Sequence, residues 1–373
     1  MRMADVQIIK DTARRLRHAK AAKRETGLYP LEMMILYVTM RCNAKCSHCF
    51  CWEDLNVGIR EMTLPEIEQL AESTPPLRML LITGGEPMMR KDLAEVIRAF
   101  ASRGKAQTIF VNTNGLKPDK VVELIEAIKP DFPHVGLDFQ ISLDGLEATH
   151  DEIRGVPGNF KKVIETLKRV TELRAKYPNL STHALTVITE KNYTELVALN
   201  DYLRREVADT LLHGFELVRS VEETAWLIPK EAAEVGVGPK MMCLPPQSAF
   251  PAIARDLHLI QRRSSHRASA FHVHNLAQLR MVATEREQYK CVTAGQSVAV
   301  VYANGDVAHC EFTKPFGSLV DFDYNFPALW SSDAANERRG QIKSCFCTHG
   351  CFHGKAVEYS WRGIAEMARR AIL

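Results

Sequence analysis

The sequence predicts an α/β fold built on a parallel sheet, and three features of the 373-residue chain point there. From about 31 to about 220, short apolar runs alternate with amphipathic stretches of helical period. Six such βα repeats with short connections argue for parallel strands and right-handed crossovers. The residues able to do chemistry fall just after the apolar runs, where the carboxyl ends of parallel strands build their sites. Periodicity alone leaves an open doubly wound sheet and a partial barrel both open.

Bulk properties narrow the class. Hydrophobic content of 46% and charged content of 25% are those of an ordinary globular chain. A net charge of +3 is too small to imply a nucleic-acid partner. The first thirty residues carry many charges and no signal-peptide core, and no window approaches the ~18 apolar residues of a membrane span. Ten cysteines in such a chain read as metal or redox ligands in a reducing, cytoplasmic setting.

Residues 5–24 read as one basic helix. Val6, Ile8, Ile9, Ala13, Leu16 and Ala19 form a thin apolar stripe among Lys10, Arg14, Arg15, Arg17, Lys20, Lys23 and Arg24. The reading is a solvated helix packed on the main domain, with a peripheral membrane contact left open. Gly27 and Pro30 end it. Strands follow at 31–39, 79–83, 108–112, 136–142, 182–189 and 211–218, with helices near 64–73, 90–103, 117–129, 159–176 and 193–207. Thr63 with Glu66 is a capping box, and Pro65 sits in the first turn. The organisation expected is a terminal helix (1–30), a core (31–225), a bridging segment rich in Pro and Gly (226–288) and a Cys-rich tail (289–373).

The first chemical signal is the loop after the first strand. Cys42, Cys46 and Cys49 stand in a C-x3-C-x2-C spacing directly after the apolar run Met33–Val38. Three thiolates on one loop can hold three corners of an iron–sulfur cube and leave one iron open. His48 or Cys51 is available as a fourth ligand for zinc, so zinc remains the alternative at this point.

Further motifs fall at the other strand ends. Gly84-Gly85-Glu86-Pro87 follows the second strand; its glycines suit a close backbone approach and Glu86 offers a carboxylate to an ammonium group. Ser142 and Asp144 end the fourth strand on one side of an extended chain, suited to ribose hydroxyls or a carboxylate. His150 to Gly155, with Arg154, comes next, and Asn192 follows the fifth strand. In the tail, Cys291 and Cys310 flank a predicted hairpin turning at Asn304-Gly305, and Cys345, Cys347 and Cys351 follow in C-x-C-x3-C. Ligand type leaves zinc open here too. Cys51 and Cys243 are left over as free thiols, and 358–372 reads as a short basic helix.

Taken together, these motifs resemble the radical S-adenosylmethionine (radical SAM) superfamily, and the tail resembles its SPASM/Twitch extension. The resemblance runs over roughly 31–355 and decides the fold: a partial (β/α)6 TIM-like barrel with a C-terminal auxiliary-cluster domain. It implies a catalytic [4Fe–4S] cluster on Cys42, Cys46 and Cys49, whose open iron chelates S-adenosylmethionine. It implies that Gly84, Gly85, Glu86 and Pro87 contact the amino group of S-adenosylmethionine and that Arg154 pairs with its carboxylate. Ser142, Asp144 and Asn192 complete the cofactor contacts it suggests. A full SPASM tail carries seven cysteines; five here imply one auxiliary [4Fe–4S] cluster, on Cys291, Cys310, Cys347 and Cys351 with Cys345 as competitor.

The activity implied is reductive cleavage of S-adenosylmethionine to a 5′-deoxyadenosyl radical, which takes hydrogen from an unactivated carbon. The expected substrate is a ribosomal peptide or other natural-product precursor, modified oxidatively. A lipid or small molecule is the alternative, and a zinc-stabilised binding protein without catalysis the distant one. An external one-electron reductant of flavodoxin or ferredoxin type is the expected partner.

Overall fold

A computed structural model of the chain describes residues 3–102, 106–219, 244–264, 269–284, 286–342 and 348–372. Six parallel strands, β1 (Met33–Thr39), β2 (Met79–Gly84), β3 (Thr108–Thr113), β4 (Gly136–Ser142), β5 (Leu180–Ile188) and β6 (Leu212–Leu217), lie side by side in chain order. An order that never reverses has no switch point. Every right-handed crossover therefore lays its helix on the same face, and the other face becomes the concave interior of a partial barrel. The predicted strand boundaries agree with these to within two residues.

The covering helices are α2 (Leu64–Ser73), α3 (Leu93–Ser102), α4 (Pro118–Ile128), α6 (Asn159–Leu173) and α7 (Leu196–Glu206), with α5 (Glu147–Arg154) inserted after β4. The capping box of α2 forms, with the Thr63 N–H donating to Glu66 Oε2 at 2.7 Å. All seven residues of β1 are buried, because it is covered on both sides. Met34, Leu36 and Val38 join the helix-side core with Ile67, Val96, Phe100 and Ile125. Met33, Ile35 and Tyr37 turn inward to Val298, Val300, Phe312 and Phe352.

The tail continues the same sheet. β7 (Val298–Val301) pairs in parallel with the outer edge of β1, and β8 (Asp306–Ala308) returns antiparallel to it, followed by β9 (Gly317–Ser318). The predicted hairpin forms, with Gly305 at φ +95° in its turn and Tyr302 N–H donating to Asp306 O at 2.8 Å. All four β7 residues are buried, since β1 lies beside them.

α1 (Met3–Thr26), α8 (Phe250–Arg263) and α9 (Ala270–Thr284) pack around the tail with α10 (Phe326–Trp330), α11 (Asp333–Gln341), α12 (Gly350–Glu358) and α13 (Trp361–Ile372). The single terminal helix expected over 358–372 is α13, set off from α12 by a break at Tyr359-Ser360. Gly363 allows the tight join: a Cβ there would meet Val357 O at 2.1 Å. Among the described residues no helix is long and apolar enough to cross a membrane.

Candidate functional site

The loop after β1 is tied down from four directions. The Gly85 N–H donates to Thr39 O at 2.7 Å and the Glu86 N–H to Arg41 O at 2.8 Å. From the C-terminal turn of α5, Arg154 O accepts from Lys45 N–H (3.1 Å) and Ile153 O from Ser47 N–H (2.9 Å). Asn56 clasps the Cys42 peptide on both sides, accepting from Cys42 N–H at 3.0 Å and donating to Cys42 O at 3.1 Å. Glu61 accepts from Thr39 Oγ1 and Met40 N–H at 2.7 and 2.8 Å. Sequence spacing marked none of Asn56, Glu61 or the α5 carbonyls, because each acts through a backbone contact.

This geometry revises the role of the two glycines. A Cβ on Gly84 would stand 2.3 Å from Thr39 O, and one on Gly85 2.2 Å from Arg41 O. The close approach they permit is to the Cys loop itself, so they set its position beside β2. Gly84, Gly85 and Glu86 nevertheless line the cavity described below. Glu86 is buried and accepts from Met88 N–H, Thr113 Oγ1 and Asn114 N–H at 3.0, 2.8 and 2.7 Å. Burial raises its carboxyl above the usual value in spite of those donors.

Three expected cofactor contacts lie away from the cavity. Asp144 is fully buried and forms an ion pair with Arg154 Nε at 2.6 Å, while its Oδ1 accepts from Val187 N–H at 2.8 Å. The chain leaves the extended form after Ser142, so Asp144 no longer shares the side of Ser142, which does face the cavity. Asn192 spends its amide on the Asp144 and Val187 carbonyls (2.6 and 2.8 Å), locking the ends of β4 and β5 together. Pro87 is buried in a single 3-10 turn, Pro87–Met89. Arg154 does line the cavity, but its Nε is committed to Asp144 and its Nη1 lies 3.5 Å from Cys46 Sγ. Burial opposes the Asp144 charge, but Arg154 outweighs it and holds that carboxyl below the usual range.

Cys42, Cys46 and Cys49 share one wall of a cavity of about 590 Å³ inside the barrel. Beside the Cys loop, against Phe50 and Cys51, lies a buried polar cluster that spacing did not reveal. Glu311 accepts from Tyr37 Oη and pairs with His349 Nε2, and the Arg219 guanidinium lies 3.6 Å from it between the rings of Phe50 and Phe312. Burial works against the Glu311 charge, yet His349 and Arg219 bring its carboxyl down to about 2. The only sequence signal for Glu311 is its place directly after Cys310. Lower in the barrel His183 and Gln140 line the same space, with His183 Nδ1 at 2.7 Å from Asp138.

The three described tail cysteines, Cys291, Cys310 and Cys351, all pack on the apolar cluster of Phe312, Phe352 and Cys51, and of the three Cys351 also lines the cavity. Thr293 Oγ1 donates to Phe352 O at 3.4 Å, which lays the Cys291 segment against that of Cys351. Cys345, Cys347 and Cys243 lie outside the described residues. Among the described residues no group of three or more His, Cys, Asp or Glu side chains is gathered closely enough to hold a metal ion.

The radical SAM superfamily model matches residues 36–203. The Fe-coproporphyrin III synthase of Methanosarcina barkeri is 32% identical over 179 residues, covering 47% of this chain and 41% of that protein. The sporulation killing factor maturation protein SkfB of Bacillus subtilis is 30% identical over 169 residues, 43% of this chain and 37% of that one. The chain thus spans less than half the length of either relative. Streptococcus suis SuiB bound to S-adenosylmethionine superposes with a TM-score of 0.61 at 16% identity, over 93% of this chain and 79% of SuiB. The enzyme anSMEcpe with bound AdoMet and the Cp18Cys peptide gives 0.57 at 16%, over 92% and 99%. Residues 36–203 thus match the radical SAM superfamily, and the fold of the chain is that of SuiB and anSMEcpe.

The match over residues 36–203 implies a [4Fe–4S] cluster and S-adenosylmethionine, and the residues present fit them. Three thiols face one cavity from a loop with fixed backbone, and the buried guanidinium of Arg154 beside Cys46 offsets thiolate charge. Burial pushes the Cys42 thiol up to about 11 and the Cys49 thiol up to about 12, a shift that a bound cation reverses because the ligand form is the thiolate.

Proposed function

We propose that this chain cleaves S-adenosylmethionine reductively and uses the resulting radical to take hydrogen from an unactivated carbon of a peptide or related natural-product precursor. The modification is oxidative: a cross-link, a dehydrogenation or a new bond to carbon. The observation that carries this reading is the cavity lined by Cys42, Cys46 and Cys49 together with residues of β6 and the tail. Cys42, Cys46 and Cys49 would hold the catalytic cluster, which when bound supplies the electron that breaks the sulfonium bond.

The chain's own residues orient and enclose. Gly84, Gly85 and Asn56 hold the loop in register, and Arg154 sets a positive charge against Cys46. Glu86 and Ser142 face the space where S-adenosylmethionine would lie, and the apolar lining of Leu81, Phe110 and Leu185 excludes water from the reacting centre. Cys291, Cys310 and Cys351, with Cys345 or Cys347, would hold one auxiliary [4Fe–4S] cluster. A flavodoxin- or ferredoxin-type protein would deliver the electron, in the cytoplasm.

The peptide class is supported by the Cp18Cys peptide bound to anSMEcpe and by the maturation role in the name of SkfB. A second reading, a small-molecule precursor, is favoured by the 32% identity to an Fe-coproporphyrin III synthase.

Anaerobic iron and sulfide content tests the cofactor assignment directly. About eight irons per chain, falling to about four in the Cys42/Cys46/Cys49→Ala variant, is the expected result. About twelve would mean two auxiliary clusters, and stoichiometric zinc without iron would overturn the enzyme reading. Deoxyadenosine release, with candidate peptides against tetrapyrrole precursors, then separates the two substrate classes.

A further inference from the structure

The surface that α1 and α13 share lies outside the cavity, and its charge is one-sided. Lys10, Arg14, Arg17 and Arg24 are all exposed, and at helical spacing they fall within an arc of roughly 80°. The buried residues of the same helix, Asp5, Thr12, Leu16 and Ala19, take the opposite side, where Leu16 and Ala19 meet Tyr359 and Ile364. The basic stripe is about 21 Å long, fourteen residues of helical rise. Arg14 has Asp11 at 2.8 Å, but Lys10, Arg17 and Arg24 have no ion-pair partner among the described residues. Of the other acids nearby, Asp5 is buried, Glu25 is exposed, Glu358 lies 4.0 Å from Arg15 and is engaged by Arg78 and Lys355 at 3.3 and 2.9 Å, and Glu366 is engaged by Arg369 and Arg370 at 2.7 and 2.9 Å.

α13 runs antiparallel beside α1. Lys20 Nζ sits 5.7 Å over the Trp361 ring at one end, and Ile8 packs with Met367 towards the other. The outer face of α13 presents apolar groups to water: Trp361 is 49% exposed and Ile372 69%, eleven residues apart on the same side of the helix. Met3, 90% exposed, lies at the α1 end nearest Ile372. Exposed cations with large exposed apolar side chains beside them are two features that an anionic bilayer interface accepts together.

We propose that the α1–α13 face docks reversibly on an anionic lipid surface, with Lys10, Arg14, Arg17 and Arg24 at the phosphates and Trp361 and Ile372 at headgroup depth. An acidic protein or a polynucleotide would answer the charge but not the apolar ends. These lie on a convex helix pair and not in a groove, and a bilayer interface accepts both features at once. The inference is independent of the cavity chemistry, so failure of one leaves the other standing.

Co-sedimentation of the full chain with phosphatidylglycerol and with phosphatidylcholine vesicles, at low and at physiological salt, tests it. The expected result is binding to phosphatidylglycerol alone, weakened by salt. The Lys10→Gln/Arg17→Gln/Arg24→Gln variant should bind about 100-fold more weakly, at roughly tenfold per 1.4 kcal/mol and about 1 kcal/mol per cation. Trp361→Phe should abolish the blue shift of tryptophan fluorescence that vesicles induce. These positions are at the surface, so unchanged thermal melting of each variant confirms that the fold is intact. Equal binding to both lipids, no binding to phosphatidylglycerol at low salt, or an unaffected triple variant would overturn the proposal. So would capture by polyglutamate as tight as by phosphatidylglycerol, which would make the partner an acidic protein.

Discussion

The loop bearing Cys42, Cys46 and Cys49 is held by directed hydrogen bonds to its backbone, whereas Cys291, Cys310 and Cys351 are gathered by apolar packing. Four separate segments reach the first loop: the Gly84-Gly85-Glu86 turn, the last turn of α5, Asn56 and Glu61. The tail thiols rest on Phe312 and Phe352 and on the pairing of β7 with β1. Hydrogen bonds have narrow geometry, so they fix where a thiol sits; packing fixes volume and tolerates small shifts. The first group should therefore respond to loss of a polar partner and the second to loss of bulk.

Two substitutions head the scale and pull in opposite directions. Arg154→Met leaves the Asp144 carboxylate buried without its countercharge and should cost about 3–5 kcal/mol, together with iron from the Cys42 loop alone. Phe312→Ala opens the apolar cluster at a cost of about 3–5 kcal/mol, with iron lost from the tail. Melting temperature and iron per chain for each variant check the pair. If both variants lose the same irons, the two cysteine groups are one cooperative unit and the contrast fails.

Glu311 stands on the boundary between the regions and gives a pH signature. Its folded carboxyl is held down at about 2, below the ordinary value of about 4.3, so it stabilises the fold above that value. The contribution fades as pH falls from there towards about 2. Urea midpoints measured across that window should drop in the wild type and stay flatter in Glu311→Gln, which should be about 2–3 kcal/mol less stable near neutrality.

Smaller effects sharpen the comparison. Gly85→Ala drives a methyl group against the Arg41 carbonyl, with backbone and no flexible side chain to give way. A cost of about 2 kcal/mol is expected, with displaced Cys loop and poor iron retention after gel filtration. Asn56→Ala removes two hydrogen bonds to the Cys42 peptide at an exposed position, and about 1 kcal/mol is expected. Its clearer readout is faster iron loss to a chelator at an almost unchanged melting temperature.

Much of this molecule was written in local pattern. Period and turn chemistry placed six strands and five helices between them, the α2 capping box, the Asn304-Gly305 turn and the Cys loop at the end of β1, because each depends on residues only a few positions apart. Local pattern also set Lys10, Arg14, Arg17 and Arg24 on one face of α1, opposite Leu16 and Ala19. Tertiary structure alone decided which groups meet. Gly84 and Gly85 serve the Cys loop, Asp144 turns from the cavity to Arg154, and Asn192 locks two strand ends. β7 extends the barrel sheet, and Arg219 and Glu311 line the cavity with Cys351, both held by His349. Those partners lie tens to hundreds of residues apart in the chain. Their pairing is set by desolvation, since a buried charge or amide must find a complement, and spacing in the sequence carries no record of where that complement will be.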